Sequence, residues 1–139
     1  MSTTNLDGHL GYWLRLVSNQ LATAFARALQ ERGLSVAEWV ALARIDASAG
    51  LNCVQLAGAL GVTRGAISKV LDKLQDKEWI TRTVSDLDSR VQVLALSRRG
   101  RRRLPELTRV AQANEAQFFA RLDAGEQALL RGLLRKVAG

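Results

Sequence analysis

Two side chains do most to limit the chemistry open to this chain. His9 is its only histidine and Cys53 its only cysteine. A histidine metal site, a nucleophile–histidine–carboxylate triad, a cysteine metal cluster and an internal disulfide all need more than that. The sequence has no Gly-rich phosphate loop and no nucleophile–base pair, so it does not read as an enzyme, and no metal or cofactor is expected. Cys53 directly follows Asn52 at a predicted helix start, a place where a thiol pKa can be lowered. With no second cysteine in the chain to resolve a sulfenic acid, it is expected to be a small, partly buried apolar residue and not a redox switch.

What remains is cationic chemistry. The net charge of +7 is unevenly placed. Residues 1–63 carry four basic and four acidic side chains, whereas residues 64–103 carry eleven and five, a local net charge of +6. A basic excess confined to one stretch suits a polyanion, although charge alone is equally compatible with a solvated face. The order of residues inside the stretch separates the two. Ala57 is small where two helices must approach closely, and Gly61 follows four residues later, where a helix must end and the chain turn through positive φ. Ile67, Val70, Leu71 and Leu74 fall on one face of the next helix; Gly65, Ser68, Lys69, Asp72 and Lys73 fall on the other, with Arg64 at its flank. Helix, short turn with Gly, helix is a DNA-reading arrangement, and Arg64, Ser68 and Lys69 lie at the end of the second helix that enters a major groove. Their groups reach phosphates and base edges. Asp72, Asp76 and Lys77 read as ordinary solvated positions.

These side chains need a scaffold, and helix-start signals supply one. Ser35–Glu38 forms a predicted capping box with Leu34 and Trp39 as its staple; Asn52–Gln55 is a variant with Leu51 and Leu56; Thr63 caps the reading helix with Val62 and Ile67. Residues 79–84 and 91–96 alternate as strands around the polar loop 85–90, a hairpin beside the helical pair. A long helix over 7–31 precedes these elements and ends at Gly33. Ser97 opens a further helix to about Leu122, and Asp123 a last one to about Val137. Pro105 should kink the penultimate helix or force it to start late. The first helix carries a heptad row through Leu10, Leu14, Val17, Leu21, Ala24 and Ala28, and the last two carry further apolar rows. One monomer of this size cannot easily cover all of them, so a homodimer is expected. No apolar run approaches membrane-spanning length. The first residues do not read as a signal peptide, so a cytoplasmic protein is expected.

With these residues in view, the chain resembles the MarR family of winged helix-turn-helix regulators over almost its whole length. The resemblance is carried by Leu34-Ser35, by Leu56-Ala57 and Leu60-Gly61-Val62, by the wing Asp86-Leu87-Asp88-Ser89-Arg90, and by Leu94-Ala95-Leu96-Ser97 with Gly100. Where the family wing usually reads Asp-Arg-Arg, Ser89 replaces the middle arginine and leaves the wing one charge weaker. The resemblance implies a mainly α fold with a small β-hairpin wing, a winged helix-turn-helix over about 34–97, and dimerisation helices over about 7–31 and 98–137. It implies a duplex-DNA-binding transcription regulator, commonly a repressor, acting as a homodimer on a pseudo-palindromic site. The implied DNA-contacting set is Thr63, Arg64, Gly65, Ser68, Lys69, Lys73, Arg82 and Arg90, with Arg90 in a minor groove. Asp88 is expected to brace the wing by pairing with Arg90 or Arg82. A small aromatic or phenolic effector is implied between the dimer helices and the reading domain, with Trp13, Arg15 and Trp39 as candidate lining residues. For the arginine run Arg98–Arg103, phosphate attraction and simple solvation both stay open.

Overall fold

The computed structural model describes residues 5–139. A short 3-10 turn, Leu6–Gly8, leads into α1 (Leu10–Gln30), α2 (Val36–Ala47), α3 (Cys53–Leu60) and α4 (Arg64–Asp76). The strands β1 (Ile80–Val84) and β2 (Gln92–Leu96) follow, then α5 (Arg98–Phe118) and α6 (Ala124–Ala138). Local chemistry sets most of these boundaries. Ser35, Asn52 and Asp123 each accept a bond from the backbone N–H three residues on, and the side chains of Glu38, Gln55 and Glu126 in turn accept one from the backbone N–H of the cap residue. Thr63 and Ser97 cap α4 and α5 by their hydroxyls. α3 stops at Gly61, which sits at φ 67°. There the Val62 N–H reaches the Ala57 carbonyl and the Gly61 N–H the Gly58 carbonyl, the bonding of a Schellman stop.

The core lies where α1, α2, α3, α4, α5 and the hairpin converge. Leu29, Leu42, Leu56, Ile67, Leu71 and Leu107 are fully buried there. Each such side chain contributes about 1.5–3 kcal/mol when removed from water, so the inner face of α4 is held firmly while its outer face stays free. β1 and β2 pair antiparallel with Ile80 opposite Leu96 and Val84 opposite Gln92. A third edge, not foreseen from sequence, is a single bridge: Asn52 pairs with Val93, and the Leu94 N–H donates to the Leu51 carbonyl at 2.9 Å. It ties the start of α3 to the wing.

Pro105 does not delay α5. The helix is continuous from Arg98 to Phe118, because proline removes only the bond to the Arg101 carbonyl, while the Ser97 cap and buried Gly100, Leu104 and Leu107 hold the helix on both sides. Gly100 is there of necessity: a Cβ at this position would lie 2.1 Å from the Trp79 carbonyl oxygen. The far ends of the molecule are uncovered. Leu10 is 81% and Leu129 64% exposed, Leu14 and Leu133 are also exposed, and α6 has no buried residue. Among the described residues no helix is long and apolar enough to cross a membrane, and no cluster of His, Cys, Asp and Glu is arranged to hold a metal. Cys53 is half-buried and packs against the core.

Candidate nucleic-acid interface

α4 divides as its sequence predicts. Ile67, Leu71 and Leu74 are buried and Val70 is half-buried, whereas Arg64, Gly65, Ser68, Lys69, Asp72 and Lys73 are exposed on the outside. The Thr63 hydroxyl accepts the Ala66 N–H at 3.1 Å. The first turn of α4 therefore presents backbone N–H groups and a partial positive charge beside Arg64, a combination suited to phosphate oxygens. Gly65 has only the Thr63 hydroxyl within 4.0 Å of where a Cβ would stand, leaving a smooth surface for close approach.

The wing presents Arg90. Its side chain is 88% exposed and pairs with Asp88. Asp88 Oδ1 accepts both the Arg90 backbone N–H at 3.0 Å and Nε at 3.1 Å, and Oδ2 accepts Nη2 at 3.2 Å. The guanidinium bonds, followed by the backbone N–H, hold the Asp88 carboxyl below the usual aspartate range. Of the two partners expected for Asp88, Arg90 is the one it meets. Arg82 instead donates to Asp72 Oδ1 at 2.9 Å, with its side chain only 17% exposed and its Nε buried without a partner. Asp72 is thus not simply a solvated position: it links the outer face of α4 to β1.

Lys77 also departs from the solvated reading. Its ammonium pairs with Glu38, the buried charged side chain among the described residues, and donates to the Gly33 carbonyl at 2.6 Å. The C-terminal end of α4 is thereby pinned to the junction of α1 and α2. Beyond it, Glu78 adopts φ 62°, and the Trp79 N–H reaches the Leu74 carbonyl at 3.0 Å. Lys77 and Arg103 each stand 5.6 Å from the centre of the Trp79 ring. In the arginine run, Arg99 pairs with Glu78, Arg101 donates to the Leu96 carbonyl and Arg103 pairs with Glu106; Arg98 and Arg102 are exposed.

Comparison with known proteins agrees with this geometry. The MarR family model matches residues 34–91. The HTH-type transcriptional repressor Rv2887 of Mycobacterium tuberculosis is 34% identical over 131 residues, covering 94% of each chain. The chain belongs to the MarR family. MarR-family proteins are transcription regulators that bind DNA, not enzymes. Two solved structures match over nearly the full length. A mutant of MarR from E. coli complexed with operator DNA gives a TM-score of 0.89 at 25% identity, covering 100% of both chains. Rv2887 in complex with salicylic acid gives 0.77 at 33% identity, covering 94% of this chain and 96% of that one.

In this MarR-family chain the three residues named for an effector site are not brought together. Trp39 packs edge-on against Phe25, ring centres 5.2 Å apart, and with Leu21 and Ala111 lines a cavity of about 300 Å³ among α1, α2 and α5. Trp13 lies elsewhere on α1, its indole N–H donating to the Asp7 carbonyl at 2.9 Å, and Arg15 is exposed on the same helix; neither lines that cavity. The residues that sequence reasoning missed are the ties: Glu38 with Lys77, and Asp72 with Arg82. Their one local signal was Glu38, read only as half of a capping box.

Proposed function

We propose that the chain is a transcriptional repressor that binds duplex DNA as a homodimer on a pseudo-palindromic operator, in the cytoplasm. α4 enters a major groove with Thr63, Arg64, Gly65, Ser68, Lys69 and Lys73, and Arg90 enters the neighbouring minor groove, where a narrow groove concentrates negative potential. Arg82 acts mainly through Asp72, fixing the wing against α4. The observation that carries the reading is the two-sided character of α4: buried apolar on one face, exposed and cationic on the other, beside a wing whose arginine is almost wholly exposed.

On this reading residues 34–97 form the winged domain, and residues 7–31 and 98–137 supply the dimer helices. The exposed Leu10, Leu14, Leu129 and Leu133 mark the surfaces that a second copy covers. A repressor of this design is released when a small aromatic or phenolic effector binds between the dimer helices and the reading domain; the cavity beside Trp39 is the place for it. Selecting bound duplexes from a random pool tests the whole scheme. Recovery of an inverted repeat with half-sites about one helical turn apart supports it, and recovery of a single asymmetric half-site refutes the dimeric mode. Sedimentation at micromolar concentration should give twice the 15.2 kDa protomer mass, and a monomer there refutes the homodimer.

A further inference from the structure

We propose that the effector cavity selects aromatic molecules that carry no negative charge and discriminates against aromatic carboxylates. The inference rests on the effector reading above and concerns the charge of the ligand. The apolar side of the cavity, with the Phe25 and Trp39 rings at a right-angled contact, fits a substituted aromatic ring in size and character. The polar side is Thr108, Gln112, Asn114 and Glu115. It therefore offers hydroxyl and amide groups and one carboxylate, and no lysine, arginine or histidine. A bound carboxylate would lose water without gaining a cationic partner and would face the like charge of Glu115. Arg131 and Arg135 line the adjoining groove between α5 and α6, which shares Gln112 and Glu115 with this cavity, but neither arginine lines the cavity itself. The relative that was crystallised with salicylic acid makes the contrast direct, since that ligand is an aromatic acid.

Calorimetry on the full-length protein at neutral pH, with salicylate and its uncharged analogue salicylamide, tests this. Salicylamide should bind more tightly by about tenfold, the order of effect of one like charge a ligand's width away near a protein surface. Glu115→Lys, at an exposed position, should reverse the order, and Ala111→Leu, which narrows the cavity, should weaken both ligands. Tighter binding of salicylate by the parent, lost in Ala111→Leu, would leave the site standing and overturn the charge selection. Binding that survives Ala111→Leu undiminished while Glu115→Lys changes neither ligand, or no binding of either ligand, would remove the cavity reading and the proposal with it.

Discussion

Replacing Gly100 by alanine should be among the most damaging single-methyl additions in this chain. A Cβ there would stand 2.1 Å from the Trp79 carbonyl oxygen and 3.1 Å from its carbonyl carbon. Both contacts are backbone, so no side chain can swing aside. α5 would have to lift by about 1 Å to restore normal contact. That movement loosens Leu104 and Leu107 in the core and stretches the Ser97 N–H bond to the Trp79 carbonyl, now 3.0 Å. Overpacking of this kind costs about 1–3 kcal/mol, and the weakened hydrogen bond about 1 kcal/mol more. The better helix propensity of alanine returns about 1 kcal/mol. The balance is a loss of roughly 1–3 kcal/mol, a fall in Tm of about 2–12 °C for a chain of this length. Thermal unfolding of parent and Gly100→Ala at equal protomer concentration reads it, equal concentration being needed because dimerisation links stability to concentration. An unchanged or raised Tm would show that α5 does not approach Trp79 this closely and would undermine the placement of the wing base.

Three other outcomes are expected. Glu78→Gly relieves a left-handed backbone conformation at φ 62°, and should raise stability by about 0.5–1 kcal/mol in urea titration; a loss would mean that the Arg99 contact outweighs the strain. Lys77→Met leaves the buried Glu38 carboxylate without its partner and should cost about 2–4 kcal/mol. Adding Glu38→Gln, which can keep the capping box, should recover at least about 1 kcal/mol of that in a double-mutant cycle, whereas additive losses would show no coupling. The Asp88 carboxyl, held down by Arg90, should titrate by NMR below the ordinary aspartate range and move upward in Arg90→Ala. Because its folded pKa is the lower one, its stabilising link to Arg90 is complete above the ordinary aspartate pKa and is lost as pH falls through the depressed value. No change at neutral pH is expected from it, and a midpoint unmoved by Arg90→Ala would refute the pairing.

The parts of this molecule that were legible in sequence are those decided within a few residues. Ser35, Asn52, Thr63, Ser97 and Asp123 announce helix starts because a cap needs only its own N–H groups three residues on. Gly61 announces the turn because its backbone needs positive φ. The outer face of α4 follows from helical geometry once Ile67, Leu71 and Leu74 are assigned inward. What escaped depends on contacts between distant segments. Lys77 and Glu38 lie 39 residues apart, and each alone looks like a solvated or capping residue. Asp72 and Arg82 meet only when β1 folds back along α4. The same holds for the Asn52–Val93 bridge, and for the cavity that includes Trp39 but neither Trp13 nor Arg15. The late helix start that Pro105 offered is not taken for a related reason, since burial on both sides of it outweighs the single lost bond. Glu78 at a left-handed position has no sequence signal, because glycine or asparagine is the usual occupant.

The most direct test of the account is the affinity of the parent, Lys69→Ala and Arg90→Ala for one selected operator duplex, measured across a series of salt concentrations. Both side chains are exposed in the structure, so both variants should keep the parent's fold by circular dichroism. Lys69→Ala should weaken binding by about 1–3 kcal/mol and lower the salt slope by about one. Arg90→Ala should weaken binding similarly and lose preference for A·T-rich flanks, since the minor groove reports mainly A·T against G·C. If both folded variants hold the operator as tightly as the parent at physiological salt, α4 and the wing are not the DNA-binding face, and the central claim fails.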